Sequence, residues 1–187
     1  MKTAWGSIAA LAAIVFFACS QNSTVSPSDK AWLFVPQDLP DSVVAGFVPQ
    51  KNSMQKPLFF KKTNPSLSGF SAVFVQKLAD AKKRTISFTC QVSYARSETD
   101  ARAFFSPYLA IDSRMNAFVK KADAKHFGAD DVLLIQSDSL LYLALRKQLI
   151  IYFVQIENLR VDVEAVKDII AKKISYLEAH ADEFRTR

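Results

Sequence analysis

Between Arg84 and Ala95 apolar and polar residues alternate strictly, with Ile86, Phe88, Cys90, Val92 and Tyr94 interleaved by Thr85, Ser87, Thr89, Gln91 and Ser93. A period of two predicts a half-buried β-strand with one face in the core and the other wet. Val92→Asp should then unfold the domain, while Ser93→Asp should be tolerated. Upstream, Phe70 to Leu78 reads FSAVFVQKL, a β-rich run that Lys77 to Lys83 would turn back into this strand as a hairpin. Leu58-Phe59-Phe60 predicts a further short strand, and Pro36, Pro40, Pro49 and Pro57 predict irregular chain with Val43, Val44 and Phe47 dipping into the core.

Downstream the period changes. Ser97 caps a predicted helix carrying Ala101, Phe104, Phe105 and Tyr108 at helical spacing, which Pro107 should end or bend. Met115, Phe118, Val119 and Ala122 predict a second helix, running toward Gly128 as its left-handed stop. VLLIQ from Val132, LLYLALR from Leu140 and LIIYFVQI from Leu149 are three strand-length runs at hairpin spacing, hence an antiparallel meander. The last is apolar almost throughout, so it belongs in the middle of the sheet. Val163, Val166, Ile169, Ile170, Ile174 and Leu177 make the apolar stripe of an amphipathic helix from about Asp162 to His180. The sum is an α+β fold: a mostly antiparallel sheet, built from an N-terminal hairpin and a C-terminal three-stranded meander, packed against helices.

Ahead of this domain, Lys2 precedes an unbroken apolar run from Ile8 to Ala18, which ends at Cys19-Ser20-Gln21-Asn22. Such a three-part segment is the pattern of an export signal, and eleven residues of helix cover only about half of a ~30 Å hydrocarbon core. Phe16-Phe17-Ala18-Cys19 resembles the lipobox of bacterial lipoproteins, although Phe16 stands where that family generally has an aliphatic residue. The resemblance implies that Cys19 is diacylated and becomes the mature N-terminus. Ser20 after it resembles the sorting residue for an outer membrane, facing the periplasm where the organism has two membranes. Residues 1–18 are then signal peptide, 19–30 a flexible polar tether, and 31–187 a single α+β domain. Lipidation of Cys19 leaves Cys90 unpaired, as a small buried hydrophobe on the apolar face of its strand.

The order of hairpin, helix, Phe127-Gly128-Ala129-Asp130 turn, meander and closing helix is similar in outline to sandwich domains of the PsbP and Mog1 type, with Ala129 as a departure.

Composition narrows the chemistry. Fifteen Phe and only two His leave few imidazoles for catalysis, and four scattered Gly form no phosphate-cradling loop. No cofactor motif is present. His126, Asp130 and Asp131 are the nearest approach to a catalytic or metal-ligating cluster, and would be the first candidates if the protein were a small hydrolase. Charge is more informative. Residues 51 to 84 carry Lys51, Lys56, Lys61, Lys62, Lys77, Lys82, Lys83 and Arg84 against Asp80 alone. Export makes nucleic acid an improbable partner, so Lys61, Lys62, Lys82, Lys83 and Arg84 are candidates for binding an anionic lipid surface or an acidic envelope protein. The expectation is a non-enzymatic envelope lipoprotein, held to a membrane by its N-terminal lipid and acting as a binding or accessory module.

Overall fold

The computed structural model describes residues 25–51, 53, 54, 56–60, 67–109 and 118–186. The alternating stretch forms β4 (Thr85–Ala95), and Phe70 to Leu78 lies within β3 (Leu67–Ala79), its hairpin partner. The meander follows as β6 (Asp131–Gln136), β7 (Leu140–Lys147) and β8 (Ile150–Glu157). With the short strands β1 (Val48–Pro49), β2 (Leu58–Phe60) and β5 (Val119–Lys120) they make one eight-stranded sheet in the order β1-β3-β4-β8-β7-β6-β5, with β2 also on β3. Every pair is antiparallel. The fold class is α+β, and apolar β8 sits centrally between β4 and β7, as its composition predicted.

One face of the sheet carries the main core. Phe74, Phe88, Cys90, Val92, Leu143, Tyr152 and Val154 are buried there beneath helix α4 (Lys167–Ala179), α5 (Ala181–Thr186) and an N-terminal strap. Val166, Ile170, Ile174 and Leu177 supply the buried stripe of α4. The expected helix from Asp162 is thus a 3-10 turn at Val163–Ala165 followed by α4, and the chain turns at His180 into α5.

The strap is where irregular chain does the work of an element. Between α1 (Pro27–Lys30) and the single turn α2 (Asp41–Val44), which forms where irregular chain was expected, Trp32, Leu33, Phe34, Val35 and Pro36 are all buried, so this short apolar run is a core component. Its polar backbone finds partners: Tyr152 Oη donates to the Trp32 carbonyl at 3.0 Å, Lys173 Nζ to the Lys30 carbonyl at 2.6 Å, and the Val35 amide to Asp38 at 2.7 Å. Val25 is also buried and Ser26 caps α1, so residues 25–30, expected as the end of the tether, pack onto the domain.

The second face is covered in part by α3 (Glu98–Leu109), whose Ala101 and Phe105 pack with Ala95, Leu133, Ile135, Ala144, Ile151 and Phe153. Ser97 caps it as expected, accepting from the Asp100 amide at 3.1 Å. Pro107 does not end it: the helix continues to Leu109, and Ala103, whose carbonyl loses its bond to the proline, is exposed to water. Covering by α3 also makes β4 buried on both faces at its end, where Ser93 and Ala95 are fully inaccessible. The wet face predicted at Ser93 is therefore absent.

The helix expected at Met115 to Ala122 is not found in its described part; Met115 lies outside the described residues. Val119 and Lys120 instead pair with Ile135 and Leu134, and Phe118 and Val119 are exposed. Adjacent apolar residues in a short segment fit a strand as well as a helix, and an unpaired edge of β6 decides between them. Gly128 does adopt the left-handed conformation, φ 64°, but closes a 3-10 turn at Ala124–Phe127.

Candidate interaction surface

The β3–β4 turn is built around one carboxylate. Asp80 accepts from the backbone amides of Lys82 at 2.9 Å and Arg84 at 2.8 Å, and from Arg84 Nε at 2.6 Å. Burial pushes its carboxyl up, but the Arg84 hydrogen bonds and charge and the Lys82 amide outweigh this and hold it below the usual carboxylate range. Lys83 takes the left-handed conformation at φ 62°, which lets the Asp80 carbonyl accept its amide at 3.0 Å. Arg84 in turn lies over the Phe47 ring, 5.6 Å from its centroid. The turn is thus a fixed platform.

Cations surround it. Lys82, Lys83 and Arg84 are exposed at the turn, and Lys77 is exposed on β3 beside it. Val48 and Pro49 pair with Ala79 and Leu78, and the Gln50 amide donates to the Lys77 carbonyl at 2.9 Å, which sets exposed Lys51 at the same end of the sheet. Lys51, Lys82 and Lys83 form no ion pair with any described residue, whereas the nearby acids are engaged: Asp80 by Arg84, Asp138 by Arg160, and Glu157 by the Gln155 amide.

Lys61 and Lys62 lie outside the described residues. Phe60, which precedes Lys61 in the chain, pairs with Ser71, eight residues along β3 from Ala79. That is about 26 Å at ~3.3 Å per residue. The stretch from 51 to 84, uniform in charge, is therefore folded so that its flanks reach opposite ends of one strand, and the described basic cluster is the turn end with Lys51 and Lys77. Sequence reasoning did not single out these two, because β1 pairing with β3 is what joins them to the turn. Cys19 also lies outside the described residues.

At the other end of the sheet, Asp130 and Asp131 both face Arg146, which is buried on β7. Asp130 further accepts from the Gln148 amide at 2.6 Å and pairs with Lys147 Nζ at 3.5 Å. Burial raises its carboxyl, and the Gln148 amide with the two cations more than reverses this. These carboxylates tie the start of β6 to the β7–β8 turn. His126 is exposed on the 3-10 turn, and among the described residues no group of three or more His, Cys, Asp or Glu is placed to hold a metal ion.

A third polar group lies in the core. Lys173, buried on α4, pairs with Asp38 at 3.0 Å in addition to the Lys30 carbonyl, beneath the strap and close to Cys90 and Tyr152. Cys90 is a free, fully buried thiol whose pKa burial pushes up to about 11. It is inert chemistry: the thiolate is the reactive form, and this site disfavours it.

Compared with known proteins, the chain matches no family model, no curated protein and no solved structure. Among the described residues no helix is long and apolar enough to cross a membrane.

Proposed function

We propose that this protein is a lipid-anchored module of a bacterial cell envelope, non-enzymatic, held by diacylated Cys19 and engaging its target through the basic β3–β4 turn. The observation that carries the reading is the N-terminal pattern of Lys2, the apolar run to Ala18 and Cys19, followed at once by polar chain. Ser20 supports an outer-membrane address. The turn supports the binding role, because its backbone is held by Asp80 while Lys51, Lys82 and Lys83 remain without ionic partners among the described residues. A surface that is preorganised and charged takes an opposite charge without ordering itself first. Asp130 and Asp131, the carboxylates of the hydrolase alternative, pair with Arg146.

The anchor is tested by mass spectrometry of the mature protein. Acyl groups at Cys19 are expected, and Cys19→Ser should leave the chain unacylated, either as unprocessed precursor or released by another cleavage, since the anchor is two acyl chains contributing about 0.8 kcal/mol per buried methylene. A mature protein without acyl groups at Cys19 would sink the reading.

A further inference from the structure

Beside the basic turn stands an apolar loop. No charged residue lies between Asp41 and Lys51, and the chain leaves α2 as Ala45-Gly46-Phe47-Val48-Pro49. Gly46 turns it with φ 79°, in the left-handed region, and the Phe47 amide donates to the Val44 carbonyl at 3.0 Å. Phe47 is half-buried against the core beneath Arg84 and so fixes the loop to the turn. Its neighbours Ala45, Gly46, Val48 and Pro49 are exposed. Val48, at 63 %, is the most exposed large hydrophobic side chain among the described residues.

Pairing with β3 decides what surrounds this tip. Val48 lies opposite Ala79, the residue before Asp80, so it shares a face of the sheet with Ala79 and Lys77. Lys82 and Lys83 follow in the turn, and Lys51 follows the loop, all of them exposed. Cations therefore flank the apolar projection, while Asp80 is held by Arg84.

The two halves of the surface together select its occupant. Carboxylates of a protein partner answer the lysines but not Val48 and Pro49. The boundary of an anionic phospholipid leaflet answers both, with phosphates at the level of the ammonium groups and acyl chain just beneath for a short apolar projection. Lysine suits this boundary, because its stem lies along apolar surface while its charge stays among the head groups. A backbone already fixed by Asp80, Phe47 and the β1–β3 pairing docks without first ordering itself.

We propose that residues 45–49 and the basic turn form one membrane-docking surface, in which Val48 and Pro49 enter the interface of an anionic phospholipid bilayer and Lys51, Lys77, Lys82 and Lys83 meet its phosphates. This rests on the binding role of the turn argued above and names its target.

The test places a tryptophan in the loop of the full chain as Val48→Trp and, as a control at the far end of β3, at the other exposed ring as Phe59→Trp. Trp32 is buried, and the unsubstituted protein gives its baseline. Vesicles carry phospholipids brominated on the acyl chain near the head group, either phosphatidylcholine alone or phosphatidylcholine with phosphatidylglycerol. Val48→Trp should be quenched at least twofold more in the anionic vesicles at about 0.1 M salt, and this difference should vanish near 1 M, as screening shortens from ~10 to ~3 Å. It should vanish also when Lys82→Glu and Lys83→Glu are added, with an unchanged folded spectrum, and Phe59→Trp should show none. The readout is a difference between two lipid compositions that an acyl anchor serves equally, so it is the same whether or not Cys19 carries lipid. No anionic-lipid-dependent quenching of Val48→Trp, or equal quenching of Phe59→Trp, overturns the membrane as the target. Polyglutamate separates that failure from a failure of the turn itself. Retention of polyglutamate that is lost with Lys82→Glu and Lys83→Glu, without quenching at Val48→Trp, makes an acidic protein the occupant and leaves the binding role standing, whereas absence of both signals overturns the binding role as well.

Discussion

At the scale of single residues, burial on the second face of β4 sets the outcome of substitution. Val92 and Ser93 are both fully inaccessible, and the Ser93 hydroxyl is satisfied by Ser71 at 2.8 Å under α3. Val92→Asp and Ser93→Asp should both place an unpaired carboxylate in the interior, and each should remove several kcal/mol from a stability that for such domains is about 5–15 kcal/mol. Urea titration of the two variants checks this; a Ser93→Asp protein of unchanged midpoint would contradict the packing of α3. Lys173→Met keeps the apolar stem but strands Asp38 and the Lys30 carbonyl, and should lose about 3 kcal/mol in the same measurement. Cys90 makes stability depend on pH. Its folded pKa, about 11, lies above the ordinary 9.0, so between those values the unfolded chain releases a proton that the folded one retains. The stabilisation is complete below pH 9 and is lost as pH rises toward 11, amounting to about 2–3 kcal/mol. Burial raises Tyr94 and Tyr152 in the same direction, so alkaline loss persists without the thiol, but Cys90→Ala should show a shallower fall between pH 9 and 11. Parallel curves for the two proteins would refute the assignment.

At the scale of elements, the strap is the part whose importance its own sequence conceals. Trp32, Leu33, Phe34 and Val35 each bury a large side chain worth about 1.5–3 kcal/mol, a sum comparable with the stability of the whole domain. A chain beginning at Asp41 should lose cooperative thermal unfolding, whereas one beginning at Val25 should keep the melting temperature of the mature protein; circular dichroism melts decide it. The strap is held by groups from β8 and α4, Tyr152 and Lys173, at sequence separations of 120 and 143 residues. It therefore forms late in any order of events in which the meander and α4 assemble first. The edges follow a similar logic. Val119 and Lys120 become strand because β6 offers an unpaired edge, and short β1 and β2 shield the outer edge of β3.

At the scale of the whole molecule, the sheet separates two ends. Near one lie α5 and the contact of Trp32 with Phe59 and Phe184; at the other lies the Asp80 turn with its lysines, and the strap runs from the first toward the second, with Phe34 stacked on Phe88. A charge count along residues 51 to 84 cannot resolve this, since the chain runs to the far end of β3 at Phe60 and returns to the turn at Asp80. Surface charge acts through distance in space, so its consequence for a partner belongs to the folded arrangement alone.

By itself the sequence determined the long strands β3, β4, β6, β7 and β8, their hairpin connections, the central place of β8 and the amphipathic closing helix. Each is a repeating local pattern whose burial follows from period two or period 3.6. It also carried the lipobox-like segment and the inert character of Cys90, both matters of local context. Tertiary structure decided which second face is dry, because α3 reaches Ser93 only through the fold. It decided likewise that Asp130 and Asp131 serve Arg146 and that Lys51 joins Lys82 and Lys83. Those relations join residues distant in the chain, and no period in the sequence encodes a contact between segments whose pairing is set by the competition of all others for the same core.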